Sequence, residues 1–158
     1  MKTTLEQLKT QYAKLQTKYK LPGFTELNEE FHIEKLTEHE SETLLREIRQ
    51  CIADKISSMS RFIEVFLNPS NAPLFVLQSS KNLNEEDNKD LEKIYKQLTD
   101  IELKSINLDV VYSEKDEAAF ILEISKKWSS VKESFLKPIK KLSKKWKPEA
   151  KEEKSYLG

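Results

Sequence analysis

The sequence predicts an all-α fold, an antiparallel helical bundle of three to four long helices plus one or two short ones. Three observations carry this expectation. Apolar residues recur every three or four positions along several stretches, which is the period of a helix face. Two glycines in 158 residues leave little material for tight hairpins, bulges or phosphate-cradling loops. No stretch has an evident partner strand, and an isolated strand has no ladder to join. A content of 37% hydrophobic and 34% charged residues is that of a globular chain. We expect a single helical-bundle domain over residues 1–147 and a flexible C-terminal tail over 148–158.

The elements follow in order. Leu5, Leu8, Tyr12, Leu15 and Tyr19 form the seam of a first helix, which Thr4 and Gln7 open as a capping box. Leu21-Pro22-Gly23 ends it, and Thr25 is expected to cap a short helix that points Phe24, Leu27 and Phe31 inward. Thr37 and Glu40 have capping-box spacing ahead of a long helix ending near Asn68-Pro69. Its stripe is Leu45, Ile48, Ile52, Ile56, Met59, Ile63 and Phe66. Leu44, Phe62 and Val65 widen it, as suits a central helix with several neighbours. The run from Leu74 to Gln78 has strand propensity but no partner, so a short helix is expected.

Asn84 opens the next helix, with Glu85, Glu86 and Asp87 in its first turn where the helix dipole favours acid. Leu91, Ile94, Leu98, Ile101 and Leu108 form its stripe. Ser113 and Asp116 cap the last helix, whose stripe is Ile121, Ile124, Trp128, Val131, Phe135, Leu142 and Trp146. Pro138 lies inside that helix and is expected to kink it, because proline removes one backbone hydrogen bond.

The run from Leu21 to Phe31, with Leu44-Leu45-Arg46-Glu47-Ile48-Arg49, resembles a group of small helical proteins encoded in archaeal genomes. The resemblance covers the first third to half of the chain. It implies a helical fold, and no particular activity, cofactor or partner.

Composition narrows the function classes. Lys plus Arg and Asp plus Glu both total 27, so net charge points to no partner. Arg46, Arg49 and Arg61 are the only arginines. Two-pronged reading of base edges favours arginine, which disfavours a sequence-specific nucleic-acid reader. A single cysteine, Cys51, makes neither an internal disulfide nor a zinc cluster and suits a reducing compartment. The N-terminus has no apolar signal core, and no apolar run approaches the length of a membrane span. A cytoplasmic protein with no membrane role is expected.

No catalytic residue, cofactor or metal site is expected. A di-iron bundle needs a Glu-x-x-His on each of two helices. Glu29 and His32 have that spacing, but the residue three before His39 is Leu36. His32 and His39 are seven apart, about 10.5 Å along a helix, too far to share an ion unaided. Cys51 borders the central apolar stripe, where cysteine behaves as a small hydrophobe. The glycines of phosphate, dinucleotide and serine-elbow motifs are missing.

The C-terminal helix is the informative feature. Between Lys126 and Lys147 lie nine lysines against one acid, Glu133, a local charge of +8 in a neutral chain. Eight of the nine lie opposite the apolar stripe, and Lys132 borders it. The leading expectation is a non-enzymatic helical interaction protein acting through a macromolecular partner, with a protein as that partner. The alternative is non-specific binding of RNA or ribosomes through Lys137, Lys140, Lys141, Lys144 and Lys145. A metal-carrying bundle stands third. The acids Glu26, Glu29, Glu30, Glu34, Glu38, Glu40 and Glu42 oppose this basic end in sequence, and the two ends either pair within one molecule or drive head-to-tail self-association. Glu42 and Arg46 have the spacing of a helical i,i+4 ion pair.

Overall fold

The computed structural model describes residues 2–38 and 40–156, with side chains as far as Lys144. Among the described residues the fold is all-α, with no strand. The helices are α1 (Leu5–Tyr19), α2 (Phe24–Phe31), α3 (Leu44–Leu67), α4 (Leu74–Ser80), α5 (Glu85–Val110) and α6 (Glu114–Tyr156). Single 3-10 segments span Ile33–Glu38 and Pro69–Asn71. None of the described helices is long and apolar enough to cross a membrane.

Local chemistry explains where the helices start and stop. The Thr4 hydroxyl accepts the Gln7 N–H at 3.2 Å, while the Gln7 side chain accepts the Thr4 N–H at 2.8 Å. That is the expected capping box. Asn84 and Asp87 open α5 by the same exchange, at 2.9 and 2.8 Å. The Ser113 hydroxyl accepts the Asp116 N–H and opens α6. Two expected caps are corrected. Gly23, not Thr25, precedes α2, which begins at Phe24. Thr37 lies within the 3-10 segment, its carbonyl accepting the Thr3 N–H, and α3 opens only at Leu44. Buried Ile33 and the Asn28–Glu34 hydrogen bonds fix that segment in place of a helix start. Glu42 therefore precedes α3, and the expected Glu42–Arg46 helical pair gives way to bonds from Arg46 to the carbonyls of Leu108 and Asp109.

The chain packs as two compact units, Met1–Ser57 with Asp100–Trp128, and Ser58–Thr99 with Ser129–Gly158. In the first, Tyr12, Leu27, Ile33, Leu45, Ile48, Ile52, Ile56 and Ile121 are fully buried. Arg46 meets Asp109 and Arg49 meets Ser105, so α3 and α5 run antiparallel there. Trp128 packs on Phe31 at 4.9 Å and donates its indole N–H to Glu30 at 2.7 Å. The second unit buries Ile63, Phe66, Val76, Leu91, Ile94 and Leu98, with the Phe62 ring tilted against Phe66 and edge-on to Phe135.

Every residue of the stripe expected for α3 is buried. The α6 stripe is buried as far as Val131, and beyond it Phe135 and Leu142 are half-buried. Trp146 lies outside the described side chains, and His39 lies outside the described residues. Pro138 is buried within α6, which stays helical to Tyr156 and so takes in residues 148–156.

Candidate functional site

Three places gather chemistry, and the lysine face of α6 is the one the sequence singles out. Lys137, Lys140 and Lys144 are exposed, Lys141 is half-buried, and the side chain of Lys145 lies outside those described. The four described lysines and Lys132 line an open groove of about 910 Å³ in the second unit. The same groove holds Glu133 and, from the first turns of α5, Glu86, Asp87 and Asp90. Five ammonium groups thus share the space with four carboxylates. Lys141 donates to Asp87 at 2.5 Å. Asp87 is held there because its backbone and second oxygen complete the α5 capping box. The surface is therefore zwitterionic, and the acids of the groove other than Glu133 come from α5.

A second cluster, in the first unit, was invisible to periodicity. Arg49 is fully buried inside the apolar stripe of α3, beside fully buried Glu117. Its Nε donates to Glu117 at 2.6 Å, and one terminal nitrogen donates to Glu117 at 3.3 Å and Asp109 at 2.7 Å. The other donates to the Ser105 hydroxyl at 2.8 Å and carbonyl at 3.1 Å. A guanidinium has five N–H donors, and five bonds consume them. No donor is left for a ligand, so the cluster acts as a clamp that ties α3 to the end of α5 and the start of α6. The available signal was a polar residue in each apolar repeat: Arg49 within α3, and Ser105 midway between Ile101 and Leu108.

The clamp stands behind a third feature, an exposed apolar face on α5. Leu103 and Ile106 are each 55% exposed and Val110 79%, at spacings of three and four. Val111 and Tyr112, just past the end of α5, are also exposed, and the Arg46 guanidinium lies 5.6 Å from the Tyr112 ring centre. Sequence reasoning assigned α5 one stripe and missed this second repeat, which is out of phase with the first. The second unit also has an apolar recess of about 500 Å³ lined by Phe62, Phe66, Phe75, Ile139 and Leu142.

Other candidates offer less. Cys51 is buried, and that burial pushes its thiol pKa up, away from the reactive thiolate. His32 is exposed at the end of α2 in a left-handed backbone conformation, φ 53°. Among the described residues, no group of three or more His, Cys, Asp and Glu side chains is placed to hold a metal ion. Glu114 accepts from Tyr19 at 2.7 Å and Lys18 at 3.0 Å, and these bonds hold its carboxyl below the usual range. Lys104 and Lys127 do the same for Glu123. No protein family, curated protein or solved structure matches the chain.

Proposed function

We propose that the protein is a non-enzymatic interaction module that works by binding another protein through the exposed face of α5. The supporting observation is the row Leu103, Ile106 and Val110, each more than half exposed at helical spacing on one face. Burying a side chain of this kind is worth about 1.5–3 kcal/mol. A contiguous exposed apolar patch, unlike scattered single residues, marks an interaction surface. The Arg49 clamp holds Ser105 and Asp109 from behind, so the face is stiff before binding and little ordering entropy opposes association.

The test is retention from a nuclease-treated extract of the source cells. The wild-type chain is expected to hold a protein that the Ile106→Glu/Val110→Glu variant releases, with both melting at the same temperature. Equal retention by both, or none by the wild type, overturns the reading.

A second reading has its own support. Lys137, Lys140 and Lys144 are exposed, and lysine meets phosphate as a point charge without reading sequence. The four carboxylates in the groove weigh against it. Binding of arbitrary RNA should then fall steeply as salt rises and disappear in Lys140→Glu/Lys144→Glu. A salt-independent or absent interaction removes this reading.

A further inference from the structure

We infer that the α5 face takes a basic amphipathic helix as its occupant, an inference that rests on the docking role proposed above. Shape comes first. A helix surface offers no free backbone edge, so recognition there is by side chains alone. A row at spacings of three and four is what a second helix meets ridge into groove. From Leu103 to Val110 the row spans about 10.5 Å, two turns of a helix laid alongside.

Charge supplies the rest. At 100° per residue, the positions flanking the row are Glu102 and Asp109 on one side, Asp100 and Asn107 on the other. Three are acids and none is basic; Arg46, from α3, stands beside Asp109 at the end of the row, bonded to its carbonyl. Lys104 and Lys127 share Glu123, a cluster with one positive charge in excess, and Arg49 serves both Glu117 and Asp109, a cluster with one negative charge in excess. The two cancel, so Asp100 and Glu102 set the sign of the rim. Flanking charges of this kind choose a partner by sign. A second copy of the same face would set acid against acid, and nucleic acid or an anionic membrane would be repelled. A helix with Leu or Ile at the matching spacing and Lys or Arg on its flanks satisfies both the apolar row and its acidic rim.

Two fluorescent peptides of about 18 residues, five helical turns, test this directly. They share one apolar row and differ only in carrying Lys or Glu on the flanks. The Lys peptide is expected to bind the full chain about tenfold or more tightly than the Glu peptide, an advantage that shrinks as salt rises. Asp100→Lys/Glu102→Lys should reverse the preference, and Ile106→Glu/Val110→Glu should remove both. Equal binding of the two peptides overturns the basic partner and leaves the docking face standing. Absence of binding to either, with extract retention still lost in Ile106→Glu/Val110→Glu, overturns the basic helix alone; with no such retention, both readings fall. Wild-type dimerisation abolished by Ile106→Glu/Val110→Glu would assign the face to a second copy and also overturn the inference.

Discussion

Arg49 shows how much a single side chain organises. Two charges out of water are costly unless every polar atom is satisfied, and this guanidinium is satisfied five times over. Glu117→Ala is therefore expected to destabilise the fold by roughly 3–5 kcal/mol, because it removes two of the buried guanidinium's bonds and leaves half-exposed Asp109 as its remaining carboxylate partner. The double variant Arg49→Met/Glu117→Leu should recover most of that loss, as urea unfolding would reveal; a double variant no better than the single would contradict it. Ile52 and Ile56 are wholly buried, and replacing either with Ala should cost roughly 2–5 kcal/mol. A neutral result at Ile52 would mean that its cavity collapses at no cost. Cys51 should resist a thiol reagent in the native chain and react on unfolding, since both access and thiolate are withheld.

Helices meet through a few such residues. Glu114, in the first turn of α6, joins that element to α1 by way of Tyr19 and Lys18. Its pKa is lowered in the folded state by those two donors. The stabilisation is thus present above the ordinary glutamate value of about 4.3 and lost as pH falls through the folded value. Glu114→Gln should flatten the acid side of the stability curve, followed by thermal melts at stepped pH. An unchanged acid limb would assign the acid sensitivity to other carboxylates. At the far end of α6 the same logic of pairing changes the character of an element. The lysines drawn by the sequence as one cationic face stand opposite the acidic first turn of α5, placed there by the same dipole preference that made those acids good helix starters.

For the whole molecule, a neutral total still leaves charges of each sign in solvent. The chain carries 27 basic and 27 acidic residues, yet Glu26, Glu29, Glu38, Glu40 and Glu42 stay exposed, as do Lys137, Lys140 and Lys144. Light scattering is expected to find a weak attraction between copies that fades with added salt. A salt-independent signal would sink that expectation. The sequence alone determined the all-α class and the apolar stripes of α3 and early α6, because a 3.6-residue period is local and survives any arrangement of neighbours; the starts of α2 and α3 it placed wrongly. Only the tertiary structure decided which polar residues are interior, which acids face the lysines, and which apolar row on α5 stays in solvent. The Arg49 partners lie 56 to 68 positions away along the chain. Nothing in a local repeat encodes a meeting at that separation; packing brings such residues together, and the low dielectric around them makes the meeting consequential.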